Sequence, residues 1–331
     1  KGITVCSVGG KSKISWWDKI IQTLPGWVQT MFNTEDPDLS PRILFGSSSV
    51  EVGDALFGAN TVNYDDEFKK KILMMTGTFE TSIAPPGSFA VVSGNFDGAG
   101  LSFGTLQFNL KSGTLQALLK RMVASHSSTV QSIFGKDYGE LQRMLRMTPS
   151  QAIAWGDKLS YTKGKDYKRY VREPWNTYFH RLGADPNCQR YQMEAAEEYF
   201  NKALSYFKYL GLQTERGFAL CFDIAVQAGS ISIANMDAMK RKFETFSQSL
   251  GAQELEYSKM HAIAHLKHGA IKIKANPGES EKSRANREKM IKDDFIKRKL
   301  VIVNGEGTCH GVAFDLYTMF DISIDRRLNA G

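Results

Sequence analysis

The chain has 331 residues, of which 42% are hydrophobic and 23% charged, with 42 Lys and Arg against 35 Asp and Glu. This composition excludes a disordered chain, and no apolar run reaches the roughly 20 residues that a membrane-spanning helix needs. The four cysteines, Cys6, Cys188, Cys221 and Cys309, form no CxxC pair. A disulfide scaffold or a cysteine zinc site is therefore not expected, and four free thiols are predicted.

Two regions differ in pattern along the chain. Residues 1–60 are irregular, with one short helix predicted around residues 16–24 before Pro25-Gly26. We expect an N-terminal extension over 1–60 and one catalytic domain over 61–331. There is no internal repeat.

A stronger helical pattern begins after Asn63, which is the predicted N-cap residue. Acidic residues fill the first turn and lysines follow them, a polarity that suits the helix dipole. Four apolar residues at spacings of 4, 3 and 4 form one stripe that should be buried: Phe68, Ile72, Met75 and Phe79. Gly77 predicts fraying near the end of the helix, which places Glu80 at or just past its C-terminus.

The period then changes from helix to strand. Ser88–Phe96 and Leu101–Leu110 look extended on either side of the turn signal Asp97-Gly98-Ala99-Gly100, which predicts a β-hairpin. Beyond Gly113 the spacing is helical, and helices are predicted at 114–124, 166–182, 190–210, 214–228, 236–250, 254–268 and 283–299. The sum is a mainly α (α+β) fold with a small β-hairpin element.

Glu80 and Asp97 are the candidate catalytic pair. Glu80 lies between Phe79 and Ile83 near the negative end of a helix dipole, surroundings that favour the protonated form that a general acid needs. Asp97 lies in a Gly-rich turn open to water and should stay ionised. Two carboxyls in contrasting surroundings are what glycoside hydrolysis requires. A surface Glu and a turn-capping Asp give the same sequence pattern.

The stretch Gly94–Phe108 resembles the chitosanases of glycoside hydrolase family 46. It is even more similar to bacterial and phage proteins of the same lysozyme-like superfamily that are directed at peptidoglycan. The resemblance implies a two-lobed lysozyme-like helical fold, with Glu80 as general acid, Asp97 as general base and Ser102 as the hydroxyl that positions water. Leu101 stands where that family has an aromatic residue.

Two further stretches are similar to the family in the same order. Gly217–Gly229 resembles an apolar helix that carries a buried Asp, here Asp223, and residues 302–311 resemble a Gly-rich loop. The resemblance implies a charge network that joins Asp223 to the catalytic Glu through helix Arg residues, for which Arg284 and Arg287 are the candidates. A buried Asp must be paired or neutral in any case, so a purely structural ion pair is the alternative.

Other clusters favour no further chemistry. His261, His265 and His268 share one helix face, but no HExxH pattern or separate ligand cluster accompanies them, so no metal and no cofactor are expected. The aromatic residues Trp155, Trp175, Tyr178 and Phe179 are predicted to be core residues and not sugar platforms.

Charge is concentrated between Lys267 and Lys299, where eleven Lys and Arg face five Asp and Glu. This stripe favours an acidic partner or is a solvated helix face, and it lacks the aromatic interleaving of a single-strand nucleic-acid binder. With Arg284 and Arg287 predicted to point inward, the remaining lysines would form the attractive face. We therefore expect a cell-wall glycan as partner, and neither nucleic acid nor a membrane span.

The sequence thus predicts a glycoside hydrolase that cleaves a β-1,4-linked amino-sugar polymer, with peptidoglycan preferred and chitosan as the alternative. A lytic transglycosylase that needs only Glu80, and an inactive glycan-binding or interaction module on the same fold, also stay open. Delivery to the periplasm or cell wall, as a phage lysin, an effector or an ordinary wall enzyme, and an immunity or delivery partner, all agree with the pattern.

Overall fold

Helices dominate a computed structural model that describes residues 61–164, 169–228, 231–246, 249–265 and 280–330. The strands there are two to four residues long, which confirms the predicted mainly helical class with small β-elements. The predicted N-terminal extension, including the helix around 16–24, lies outside the described residues. No helix in the described part of the chain is long and apolar enough to cross a membrane.

The helices, in chain order, are α1 (Asp66–Thr81), α2 (Thr114–Ser125), α3 (Ser127–Phe134), α4 (Tyr138–Met144), α5 (Pro149–Leu159), α6 (Trp175–Ala184), α7 (Pro186–Ala195), α8 (Glu197–Tyr209), α9 (Glu215–Ala228), α10 (Ile233–Phe243), α11 (Ala252–Ala264), α12 (Glu281–Asn304) and α13 (Leu316–Phe320). The strands are β1 (Thr61–Asn63), β2 (Val92–Ser93), β3 (Ser102–Phe103), β4 (Phe108–Asn109), β5 (Ser160–Thr162), β6 (Arg169–Val171), β7 (Glu306–Cys309), β8 (Val312–Asp315) and β9 (Arg327–Asn329). Short 3₁₀ helices span Gly87–Ala90 and Gly135–Asp137.

The chain divides into two compact units. The first unit is formed by the described residues within 65–201, and the second unit by residues 61–64 together with the described residues from 202 onward. The first unit contains α1, the three-stranded antiparallel sheet β2-β3-β4 and the hairpin β5-β6. The second unit contains the parallel pair β1-β9 and the hairpin β7-β8.

Helix α1 carries the predicted stripe, and Phe68, Ile72, Met75 and Phe79 are all buried. Its cap differs from the prediction because Asp65, and not Asn63, accepts a hydrogen bond from the backbone N–H of Phe68 at 3.0 Å. Asn63 lies in β1, whose partner β9 is far away in sequence. A long-range strand pairing therefore moves the start of the helix by two residues.

The β2-β3-β4 sheet separates apolar from polar side chains. In register, Val92 faces Phe103, which faces Phe108, and the two Phe side chains are buried. The next row is Ser93, Ser102 and Asn109, which lie on the opposite face because side chains alternate along a strand. The chain reverses at 97–100 as predicted, but the predicted strand Ser88–Phe96 begins in a 3₁₀ helix, and the predicted strand Leu101–Leu110 is two antiparallel strands, β3 and β4.

The core of the first unit holds the predicted aromatic residues. Trp155 and Trp175 are buried with ring centroids 4.9 Å apart in an edge-to-face arrangement, Phe179 is buried, and Tyr178 is half-buried. The expectation that these residues belong to the core is confirmed. Gly183 of α6 brings that helix against the 3₁₀ turn, since a Cβ there would lie 2.3 Å from the Cα of Ala90.

After Gly113 a helix overlaps each predicted range, but several boundaries differ, and α3, α4, α5 and α13 lie where no helix was predicted. The element predicted over 166–182 contains β6 and then α6, which begins directly after Pro174. Proline cannot donate a backbone hydrogen bond, so it suits a helix start and interrupts a continuous helix. The element predicted over 190–210 is two helices, α7 and α8, that meet at Ala196.

Candidate active site

Glu80 lies in the last turn of α1, two residues before Ser82, which ends the helix in a left-handed conformation with φ 58°. The predicted position at the helix end is confirmed, but the surroundings differ from the expectation. Glu80 is exposed, its neighbour Phe79 is buried on another side of the helix, and Ile83 is itself exposed. The Glu80 carboxyl therefore faces solvent.

Asp97 lies at the exposed tip of the loop between β2 and β3, which we call the Asp97 loop (residues 94–101). Its Oδ1 accepts a hydrogen bond from the backbone N–H of Ala99 at 2.9 Å. Asn95 Oδ1 accepts from the N–H of Gly100 at 3.0 Å, so a second side chain closes the same loop. Both are turn-stabilising contacts that Asp and Asn make readily.

The loop is fixed to the body of the first unit. Asn95 donates from its backbone N–H to Ser160 Oγ at 2.9 Å and from Nδ2 to Asp157 Oδ1 at 2.9 Å. Gly100 has φ +79°, and a Cβ there would lie 3.0 Å from the Cβ of Leu110. A larger residue is excluded on both grounds. The backbone that carries Asp97 is thus pre-organised.

Leu101 and Ser102 lead from the loop into the central strand. Leu101 is fully buried, with its backbone nitrogen and side chain against Gly156, so it offers no surface on which a ligand could stack. Ser102 is 5% exposed and begins the polar row of the sheet, between Ser93 and Asn109.

A buried glutamine that was not among the predicted site residues connects this region. Gln192 of α7 accepts a hydrogen bond from the backbone N–H of Thr105 at 3.1 Å and donates to the carbonyl of Phe89 at 2.9 Å. It joins the β3–β4 turn to the 3₁₀ helix that follows Glu80. The only sequence signal is a polar residue on the buried face of α7, since Gln192 lies one turn after the buried Cys188.

The second unit contains the predicted buried carboxylate with different partners. Asp223 of α9 is fully buried and pairs with Arg298 and Lys299 of α12, which are also buried. Lys299 also donates to Gln227. Burial raises the pKa of Asp223, but the charges and hydrogen bonds of Arg298 and Lys299 outweigh it and hold that pKa below its usual range.

The assignment of Arg284 to this network is therefore wrong, because Arg284 is exposed at the start of α12. At 1.5 Å per residue it lies about 21 Å before Arg298 along the helix. The backbone of Arg287 lies about 17 Å before Arg298 along the same helix, and its side chain lies outside the described residues. The pattern did contain a signal: Arg298 and Lys299 stand at helical spacing between the buried Phe295 and Ile302.

Two of the three histidines that were predicted to share a helix face lie in the described part of the chain. His261 of α11 and His265, the residue that caps the C-terminus of α11, have ring centroids 4.7 Å apart, while His268 lies outside the described residues. Burial, followed by the charges of His265 and Lys242, lowers the pKa of His261 to about 3, so this imidazole is neutral at ordinary pH.

One group of ligand-type side chains is close together in the described ranges. Ligand atoms of Asp294, Cys309 and His310 lie within 4.8 Å of one another, and His310 Nε2 is 3.0 Å from Asp294 Oδ2. Cys309 is disulfide-bonded, so it has no thiolate to offer a metal. The expectation of four free thiols is therefore wrong, although Cys188 and Cys221 are free and buried.

The basic stripe also differs from the expectation. Lys282, Arg284, Lys289 and Lys292 are exposed on the first half of α12, whereas Arg298 and Lys299 are buried. Arg284 was expected to point inward and is instead exposed. Lys292 pairs with Glu288 at 2.6 Å, while Lys282, Arg284 and Lys289 present their charge on the exposed surface of the helix.

No known family model matches the sequence, and no curated protein is significantly similar to it. Among solved structures, the chain is similar to a family 46 chitosanase of Gynuella sunshinyii in complex with chitotetraose, with 13% identity and a TM-score of 0.40 over 76% of this chain and 97% of that chain. It is also similar to a native chitosanase of Bacillus subtilis MY002 and to a variant of that chitosanase complexed with six glucosamine units. For both, identity is 14% and the TM-score 0.37, over 76% of this chain and 97% of the other.

Proposed function

We propose that this protein is a glycoside hydrolase that cleaves a β-1,4-linked amino-sugar polymer, with peptidoglycan as the preferred substrate. Glu80 is the general acid and Asp97 the general base. The observation that carries the proposal is the Asp97 loop, which holds an exposed carboxylate on a backbone fixed by Asn95 and Gly100. Catalytic groups gain most from such pre-organised positions.

The reaction needs one proton donor and one proton acceptor. Glu80 gives its proton to the glycosidic oxygen as the bond to the anomeric carbon breaks, and Asp97 takes a proton from the water that attacks that carbon. Ser102 directly follows the loop, and its hydroxyl would hold this water. After the reaction Glu80 is ionised and Asp97 is protonated, so proton exchange with solvent, to which both are exposed, restores the enzyme.

The charge network of the second unit has a structural part in this proposal. Asp223 joins α9 to α12 through Arg298 and Lys299, all of them buried. Breaking such a cluster leaves a buried charge without its partner, which is strongly destabilising. The network therefore maintains the fold of the second unit.

The preference for peptidoglycan rests on charge. Chitosan is a polycation, and a protein with a formal net charge of +7 would repel it, whereas the peptide carboxylates of peptidoglycan would be attracted. Lys282 and Lys289 are exposed on α12 and can contribute to that attraction through solvent, whereas Lys292 pairs with Glu288. Reducing-sugar release from purified sacculi should therefore exceed release from soluble chitosan, and faster release from chitosan would overturn the substrate preference.

Conservative amide variants test the two carboxyls. Glu80→Gln and Asp97→Asn should each lower cleavage of sacculi by about 10²- to 10⁴-fold, the usual contribution of a general acid or base. Glu67→Gln is the matched control, because Glu67 is an exposed carboxyl in the first turn of the same helix. Full activity of the Glu80 variant would exclude the assignment.

Product analysis separates the remaining mechanisms. An inverting hydrolase yields the opposite anomer at first, which proton NMR of early products detects, and it places the two carboxyls about 6.5–9.5 Å apart or more. Retention would contradict the role of Asp97 as base. Anhydro-sugar products from an enzyme that tolerates Asp97→Asn would identify a transglycosylase. Binding of sacculi without any release would identify an inactive glycan-binding module.

A further inference from the structure

The described part of the first unit has few exposed large apolar side chains, and they occur near the candidate carboxyls in the chain or on a hairpin that is hydrogen-bonded to the Asp97 loop. Among its described residues, three large apolar side chains are exposed: Ile83 at 44%, Phe96 at 54% and Tyr170 at 37%. Phe96 directly precedes Asp97, and Ile83 follows Glu80 by three residues. Tyr170 lies on the β5-β6 hairpin, whose Ser160 accepts a hydrogen bond from Asn95 of the Asp97 loop. Phe96 and Tyr170 thus lie on two segments that a hydrogen bond joins, and exposed apolar groups on a shared surface mark binding sites.

The Asp97 loop holds Phe96 outward on a defined backbone. On either side of it, Asn95 and Asp97 each place a side-chain oxygen on a backbone N–H of the loop. The backbone N–H of Phe96 itself donates to the carbonyl of Gly94 at 2.9 Å. Phe96 is thus exposed although its backbone is tightly held, and its ring is not part of the core that begins at Leu101.

Ile83, three residues after Glu80, is also held in place by a local contact. A Cβ on Gly87 would lie 2.7 Å from the Cγ2 of Ile83, so the isoleucine packs directly over that glycine and keeps its remaining surface in solvent. Each candidate carboxyl therefore has one exposed apolar neighbour along the chain that is fixed by local structure.

We propose that Phe96 is a sugar-binding residue that stacks its ring on the apolar C–H face of a pyranose unit of the glycan. The inference rests on the proposed function and extends it to the substrate contact. A pyranose ring has an apolar face and hydroxyl donors at its edge. An aromatic ring adjacent to a carboxylate acceptor matches both features, because the ring takes the face and Asp97 accepts from a hydroxyl.

Binding measured without cleavage tests this contact. The probe is the soluble hexamer of β-1,4-linked N-acetylglucosamine, titrated calorimetrically into a Glu80→Gln background. Adding Phe96→Ala should weaken affinity about tenfold, near the upper range for an aromatic contact. Phe96→Leu keeps apolar area without a flat ring and should lose nearly as much, whereas Phe96→Trp should retain affinity and shift the tryptophan emission to shorter wavelength on binding.

A matched control is available in the second unit. Tyr317 is 64% exposed, so Tyr317→Ala removes an equally exposed aromatic ring and should leave affinity unchanged. Since Phe96 is exposed, the unfolding midpoint of the Phe96→Ala variant should match that of the parent. Equal affinity of the Phe96→Ala variant and its parent, or no hexamer binding by the parent, overturns the inference.

Different results would refute the stacking contact of Phe96 and the hydrolase function. If the wild-type protein cleaves sacculi and Phe96→Ala changes neither hexamer affinity nor KM, the stacking contact is refuted and the hydrolase function stands. If the wild-type protein cleaves no glycan but binds the hexamer through Phe96, the stacking contact stands and the hydrolase function is refuted.

Discussion

Replacement of Asp223 by alanine removes a carboxylate that two buried cations share. Asp223 and Lys299 are fully buried, and Arg298 is 2% exposed. Breaking a single buried ion pair costs about 3–5 kcal/mol, so the loss of a carboxylate that serves two cations should reach the upper end, about 5 kcal/mol. That is a large part of the 5–15 kcal/mol that stabilises a typical domain.

Two companion variants separate electrostatics from packing. Arg298→Met leaves Asp223 paired with Lys299 and should cost less than Asp223→Ala. Replacing all three residues by Leu, Met and Met should recover most of the loss, because an apolar cluster of similar volume no longer buries charge. The free energy of unfolding, measured by urea titration and circular dichroism at pH 7, ranks the three proteins.

The pH dependence gives a second check with a defined sign. The folded-state pKa of Asp223 is held below its ordinary value, so its contribution is complete above about pH 4 and is lost only as the pH falls through that lowered value. The difference between wild type and Asp223→Ala should therefore be unchanged from pH 7 to pH 4.5. A cost below about 1 kcal/mol, or a greater cost for Arg298→Met, would refute the reasoning.

Three further changes test the fold. Gly183→Ala places a methyl group 2.3 Å from the backbone of Ala90 and should cost about 3 kcal/mol in urea unfolding; an unchanged midpoint would contradict that contact. Glu256 is buried and accepts hydrogen bonds from two backbone N–H groups. Glu256→Ala should lower the free energy of unfolding by about 3 kcal/mol, and Glu256→Gln, which keeps an acceptor, by less than half of that. Equal losses would contradict the hydrogen-bonding role. Burial lowers the pKa of His261 to about 3, so the wild-type protein should lose stability as the pH falls from about 6.5 toward 3. The His261→Phe variant should lose less stability between pH 7 and pH 4.5. Equal losses in the two proteins would show that His261 is not held in its neutral form by the fold.

Local patterns in the sequence predicted the parts of the site that depend on neighbouring residues. The stripe from Phe68 to Phe79 follows from helical spacing alone, and the turn at Asp97 follows from Asp and Gly chemistry within four residues. Both were confirmed because no distant contact overrides them. The catalytic roles of Glu80, Asp97 and Ser102 remain predictions.

Features set by distant contacts were not predictable in the same way. Asn63 is as good a cap as Asp65, and only the pairing of β1 with β9 decides between them. Arg284 and Arg298 are equally able to pair with an acid, and only the packing of α12 on α9 selects Arg298. The sequence shows which residue types a buried Asp requires, and the fold determines which members of the helix supply them.

The effect of Gly77 on α1 in the structure differs from the effect predicted from the sequence. As a helix-weakening residue it predicts fraying just before Glu80, yet α1 continues to Thr81. A Cβ on Gly77 would lie 3.0 Å from both Ser88 Oγ and Thr105 Cβ, so the glycine allows the helix to pack closely on the segments that precede β2 and follow β3. The turn that carries Glu80 is therefore supported by packing and is not frayed. Gly77 near Glu80 and Gly100 near Asp97 both mark close approaches, which fix the backbone at each candidate carboxyl.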